Sequence, residues 1–190
     1  MSALAGCVSP ALPDLSGMSN FITPLQPAMG WDHRAEAIEW TSSTLAVIAS
    51  HDDNLASQIP DDIENWCPGY AKASMGDRRA FWSGLLSAVA KYESSWNPAA
   101  SGGGGRYVGL MQISPSTASN YSCEATGTKA LKDGAANLAC AVKIVSSQVG
   151  RDNMVAGSGN RGIARDWGPF KSAAKRASMA EWTSSQTYCQ

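Results

Sequence analysis

Apolar and polar positions fall into helical spacing from about residue 32 onward. In "DHRAEAIEWTSSTLAVIAS", Ile38, Leu45 and Ile48 recur at loosely helical intervals. Asp32 is placed to cap that segment and Pro60 to end it. After the turn signal Cys67-Pro68-Gly69 the pattern sharpens. Trp82, Leu85, Leu86 and Val89 share one stripe at spacings of three and four, with Asp77 as the expected cap. One more step along that stripe reaches a carboxylate, Glu93. Ser114-Pro115 opens a further helix, because proline is favoured at the first helical position. "DGAANLACAVKIVSSQVG" places Leu138, Val142, Val145 and Val149 on one face, with Gly150 as the stop. Ser178 and Glu181 have capping-box spacing. No segment sustains strand-like alternation and no repeat is present, so the expected fold class is mainly α.

Residues 1–30 read differently. Pro10, Pro13, Pro24 and Pro27 interrupt a stretch with little periodicity, which predicts a flexible, extended N-terminal arm before a folded domain over 31–190. An apolar fraction of 44% and seven Trp suffice for one core of that size. A formal net charge of −1 with scattered basic residues argues against nucleic acid or an anionic membrane surface as partner.

Five cysteines change the picture: Cys7, Cys67, Cys123, Cys140 and Cys189. None forms a CxxC pair, and His33 and His51 stand apart from them, so no metal site or cofactor is expected. Wide spacing suits disulfides formed in an oxidising compartment; buried free thiols are the plain alternative. Residues 4 to 7, Leu-Ala-Gly-Cys, resemble a bacterial lipidation box, which would make Cys7 a lipidated residue and explain the odd count. The six residues before Cys7 lack the charged and apolar regions of a signal peptide, so the box reads as a lipoprotein remnant or as chance.

Candidate chemistry centres on Glu93. A carboxylate that continues an apolar stripe belongs at the wall of the core, where desolvation raises its pKa and prepares it to donate a proton. The helix C-terminus pushes the same way. The competing reading is a side chain that fans into solvent at a frayed helix end. Tyr92, Trp96 and Tyr107 nearby are aromatics suited to stacking on sugar rings or to filling a core. Glycines 102 to 105 permit close backbone approach, and Gln112 offers both a donor and acceptors.

The stretch "ESSWNPAASGGGGRYVGLMQISPSTA" resembles the lytic transglycosylases of soluble-lytic-transglycosylase (SLT) type. The match runs in order through Glu93-Ser94, Trp96-Asn97-Pro98, Ser101, Gly109-Leu110-Met111-Gln112 and Pro115-Ser116-Thr117-Ala118. Asn137-Leu138 is similar to the family's later Asn-containing helix. The likeness extends over roughly 78–170 and is strong over 93–118.

The resemblance implies a lysozyme-like helical domain, of the goose-type lysozyme and SLT kind, that cuts the MurNAc-GlcNAc β-1,4 link of peptidoglycan. Glu93 is then the acid that protonates the glycosidic oxygen and the base when the MurNAc 6-hydroxyl attacks, leaving 1,6-anhydroMurNAc ends. Ser94 and Gln112 contact the sugar or orient Glu93, and Met111 lines the cleft. Ser101, Tyr107, Asn137, Asn160 and Trp167 complete the expected substrate-binding set. The family's late Ala-Tyr-Asn-x-Gly motif has no clean counterpart: "VAGSGNRGIARDWGPF" offers Asn160 and Gly162, with Trp167 in place of the tyrosine. Asp133, Asp152 or Asp166 could instead position water and give a true muramidase, in a cell or a phage-like lysis role; a non-catalytic wall-binding module is the third reading.

Apart from Cys7, four cysteines allow three pairings. Cys123 with Cys140 is favoured, which leaves Cys67 with Cys189 to clamp the chain end. The expected protein is a monomer acting on glycan strands in the periplasm or cell envelope, with a lipid anchor to the outer membrane in the lipoprotein reading. A phage- or particle-associated location is the alternative.

Overall fold

A computed structural model describes residues 26–190. The Leu-Ala-Gly-Cys box with Cys7, and residues 1–25 of the predicted arm, lie outside the described residues. The described end of that stretch is already packed. Met29 is buried, the Gly30 N–H donates to Ser87 Oγ at 2.8 Å, and the Ala28 carbonyl accepts from Tyr188 Oη.

The first helix, α1, spans Ala37–Ala49 and starts later than the spacing predicts. Asp32 does not cap it; its carboxylate takes the Met29 N–H at 2.9 Å and closes the preceding turn. Its buried side runs through Ala37, Trp40, Thr41, Thr44 and Ile48, whereas Ile38 is 64% exposed. The polar threonines hid this face from an apolar count. Thr41 can be buried because its hydroxyl accepts from the Trp31 indole N–H at 2.9 Å.

The second helix, α2, spans Met75–Ser94 and is capped by Ser74, not Asp77. Ser74 Oγ accepts the Asp77 N–H at 3.1 Å and donates to the Asp77 carboxylate at 2.7 Å, so Asp77 is the reciprocal partner within the first turn. Every residue from Ala80 to Ala90 is buried. A helix buried on all sides is a central one. Its small residues admit the neighbours closely; a Cβ on Gly84 would run into the Tyr188 hydroxyl.

Two short antiparallel pairs are the strands among the described residues. In the first, β1 (Ser101–Gly102) faces β2 (Tyr107–Val108). Helix α3, Pro115–Asn120, follows with the expected Ser114 cap and proline start. Helix α4, Gly134–Asp152, is capped by Asp133 and does not stop at Gly150; the left-handed Asn153 ends it. Gly150 instead leaves room for the Asn54 side chain. The second pair is β3 (Ala156–Gly157) with β4 (Arg161–Gly162). Helix α5, Ala173–Ser184, is capped by Ser172, so Ser178 and Glu181 lie inside it and form no capping box.

Helix α2 packs against α1 and α5, and α4 packs against α1. Trp31, Trp66, Trp82, Tyr70 and Phe81 fill the core between them. The architecture is mainly helical, as expected. Both favoured bridges are formed: Cys67–Cys189 fastens the chain end to the segment before α2, and Cys123–Cys140 ties the segment after α3 to α4.

Candidate active site

Glu93 occupies the last turn of α2, where the helix leaves the core and the stripe of buried side chains meets the surface. Its carboxyl is half-buried. Loss of solvent pushes its pKa up to about 7, against a smaller opposing pull from the Lys175 cation of α5. No hydrogen bond from the described residues holds the charged form.

Beyond Glu93 the backbone is left-handed at Ser95 and Trp96, with φ of 51° and 57°. Trp96 is fixed there from below: its indole N–H donates to the Ser87 carbonyl at 2.8 Å and its ring meets His33 edge-on. The ring is half-buried and packed against the core, and it does not line the groove that holds Glu93. Asn97 Oδ1 accepts the Ala99 N–H at 3.0 Å and tightens the next turn. That turn delivers the chain to β1.

Gly109-Leu110-Met111-Gln112 is a turn between Val108 and Ile113, which exchange both backbone hydrogen bonds, at 3.1 and 3.0 Å. Gly109 has φ of 80°, and a Cβ there would strike the Leu131 carbonyl and the Asn137 amide. Leu110 and Met111 are fully buried and pin the turn to the core. Gln112 is the member that faces outward. Its Nε2 donates to the Gly109 carbonyl at 2.9 Å, and its Oε1 lies against Gly102 in the space a side chain would need.

Glu93, Gly102, Tyr107, Gln112, Asp166 and Trp167 line one open groove of about 350 Å³. Four residues expected at the site, Glu93, Tyr107, Gln112 and Trp167, are thus brought together. Trp167 is 3% exposed and its indole N–H donates to the Met111 carbonyl at 2.9 Å.

The other expected residues do not line this groove. Ser94 turns back along α2 to donate to the Ala90 carbonyl. Ser101 is exposed, one residue from the groove. Met111 lies beneath the groove, buried. Asn137 is also buried and works from below: Oδ1 accepts the Met111 N–H at 2.8 Å, while Nδ2 donates to the Val108 and Leu131 carbonyls at 3.0 and 2.9 Å. Asn160 is exposed, with φ of 59°, in the turn between β3 and β4. Met111 and Asn137 are therefore supports of the groove and not contacts for a ligand.

Of the three aspartates that might position water, two are structural. Asp133 caps α4, and Asp152 accepts the Gly162 N–H at 2.7 Å and pairs with Arg165 at 3.0 Å. Asp166 alone of the three enters the groove. Lys175, unremarked in the sequence, stands over the Tyr92 ring at 5.4 Å and acts on Glu93; its helix reaches the site only through tertiary packing.

The family model of the transglycosylase SLT domain matches residues 72–181, more than half of the chain. The chain belongs to this family. Its SLT domain is also similar to solved structures of Bd0314 DslA. The wild-type form shares 27% identity, with a TM-score of 0.78 over 87% of this chain and 99% of that one. A glutamate-to-glutamine mutant of the same protein superposes with a TM-score of 0.79 at 27% identity and the same coverage. No curated protein matches the chain by sequence. As an SLT domain it carries a lytic-transglycosylase-like function directed at peptidoglycan.

Proposed function

We propose that this SLT domain is a lytic transglycosylase that cleaves the MurNAc-GlcNAc β-1,4 bond, with Glu93 as the acid and then the base. The observation that carries this reading is a half-desolvated carboxyl, with a pKa of about 7, facing an open groove of about 350 Å³. At neutral pH a substantial fraction of Glu93 is protonated. The proton passes to the glycosidic oxygen as the C–O bond breaks. The resulting carboxylate then takes the proton of the hydroxyl that attacks the anomeric carbon. Such proton transfer contributes on the order of 10²- to 10⁴-fold in rate. A groove built on a helix end and a pinned turn supplies orientation as well.

A true muramidase is the second reading, because Asp166 gives the groove another carboxylate. A non-catalytic wall-binding module fits less well, since a desolvated acid costs stability that binding alone does not require. Two disulfides support a location in an oxidising compartment, the periplasm or cell envelope; lipidation at Cys7 belongs to the same proposal.

Digestion of purified peptidoglycan by the protein and by Glu93→Gln, with mass analysis of the products, tests the assignment. Anhydro ends from the wild type, and a loss of about a thousandfold or more in the variant, are expected. Undiminished activity in Glu93→Gln would refute the role of Glu93, and reducing ends alone would establish the muramidase.

A further inference from the structure

The cleavage chemistry leaves unused a second cleft, beside Tyr92, the sequence neighbour of Glu93. It encloses about 110 Å³ between α2 and α5. Lys91, Tyr92 and Trp96 line it from the end of α2 and the turn after it, and Ser178, Met179 and Trp182 line it from α5. Three aromatic rings and a thioether make the lining apolar, and no carboxylate is among the residues that form it.

Two ammonium groups gather beside it. Lys91 Nζ lies 5.6 Å from the centre of the Tyr92 ring and Lys175 Nζ lies 5.4 Å from it. Both lysines are exposed, and neither ammonium has a hydrogen-bond or ion-pair partner among the described residues. Lys143, by contrast, donates to the Ser122 carbonyl at 3.0 Å. Attraction to a ring leaves the N–H donors of an ammonium free. Two like charges held about one ring also repel each other until an anion joins them. Lys175 links this cleft to the catalytic groove, because it stands over Tyr92 and its charge acts on Glu93. An anion held by the two lysines is therefore within reach of a substrate seated at Glu93. The sugar rings of the glycan carry no charge; its carboxylates lie on the short peptide joined to the lactyl group of MurNAc. That peptide offers what the cleft lacks: carboxylates for the ammonium groups, and small apolar side chains for Trp96, Met179 and Trp182.

We propose that the cleft between α2 and α5 is a subsite for the peptide arm of the substrate, with Lys91 and Lys175 pairing its carboxylates and Tyr92 holding the two ammonium groups in place. This rests on peptidoglycan being cleaved at Glu93. Lys91 and Lys175 are then specificity residues. They select strands that carry acidic peptides, and neither exchanges a proton with the glycosidic bond.

The test uses two substrates: glycan strands that carry their peptides, and the same strands with the peptide carboxyls converted to primary amides. Wild type, Lys91→Ala, Lys175→Ala, the double alanine variant and the double arginine variant are compared by kcat and KM on both. On native strands each alanine variant should raise KM about threefold and the double variant about tenfold, the range of partly exposed ion pairs. Such contacts act on binding and so appear in KM. On amidated strands the wild type should show the raised KM, and the alanine variants should match it. The double arginine variant keeps both charges and should keep the wild-type KM on native strands. Lys175→Ala also removes a charge that acts on Glu93, so the reading is taken from the ratio of KM between the two substrates, which that effect leaves unchanged. Equal wild-type KM on the two substrates overturns the proposal. So does a rise in KM that the alanine variants show equally on both. In either case an inactive Glu93→Gln leaves the catalytic reading standing; full activity in Glu93→Gln removes that reading instead.

Discussion

The two walls of the groove are built in opposite ways. The first, from Glu93 to Gln112, is held by contacts close in sequence. Trp96 bonds to Ser87, Gly109 to Ala100, Val108 to Ile113, and Gln112 to Gly109. The second wall, from β3 to Trp167, is held from far away. Asp62 accepts the Val155 and Ala156 N–H groups across separations of 93 and 94 residues, and Trp167 reaches Met111 across 56. The walls meet at one residue. Asn137 takes the Met111 N–H from below, and Trp167 donates to the Met111 carbonyl from the other side. A locally coded wall thus sets the acid and the turn, and a wall coded by tertiary contacts closes on it.

The largest expected effect comes from removing the support that both walls share. Asn137→Ala orphans the Met111 N–H and the Leu131 carbonyl, both in the core, and takes one of two donors from the Val108 carbonyl. At roughly 1–3 kcal/mol for each buried group left unpaired, and with partial relaxation, about 4 kcal/mol of stability should be lost. Thermal unfolding measures it, and a change under 1 kcal/mol would show that the walls are independent of this junction. Gly109→Ala ranks next. Ala at φ of 80° is strained, and its Cβ meets backbone at Leu131, so about 3 kcal/mol is expected, measured by denaturant unfolding at constant slope.

This division explains what the sequence shows and what it hides. The stripe through Trp82, Leu86 and Val89 leads to Glu93, and the turn Gly109 to Gln112 is closed by the adjacent Val108–Ile113 pair, although Asn137 and Trp167 brace it from far along the chain. Both are short-range facts, so both are legible. The face of α1 is hidden from an apolar count because it includes Thr41 and Thr44; Thr41 fits the core through its bond from the Trp31 indole, a partner outside the helix. Asn137 looked like a substrate contact because its residue type suits sugars; only the fold reveals that its amide is consumed by three backbone groups. Lys175 carries no sequence signal, since it acts on the site from a helix remote in the chain.

A milder change probes the second wall alone. Trp167→Phe keeps the ring in the groove and deletes the hydrogen bond to the Met111 carbonyl. The loss should be about 1–2 kcal/mol, the usual cost of leaving one buried acceptor unpaired. Activity should fall more than stability suggests, because the wall that carries Asp166 is displaced relative to Glu93. Equal kcat in Trp167→Phe and wild type would show that the first wall suffices for catalysis.

The smallest expected effect concerns the first wall's acid and depends on pH. The folded-state pKa of Glu93 is raised from 4.5 to about 7, so the folded protein binds a proton that the unfolded chain has released in between. Stability from this group is fully present below pH 4.5 and is lost as pH rises through about 7. At 1.36 kcal/mol per unit the full shift would correspond to about 3 kcal/mol; solvent screening at a half-exposed carboxyl reduces this to about 1 kcal/mol. Glu93→Gln, which cannot ionise, should therefore match the wild type at pH 4 and exceed it by about 1 kcal/mol at pH 8. Activity has the same origin and the same direction: the acid step requires the protonated form, so turnover should decline as pH rises above about 7. A stability difference between the two proteins that does not vary between pH 4 and pH 8 would mean that the carboxyl is solvated, and the burial of Glu93 at the end of α2 would lose its claim to have made an acid.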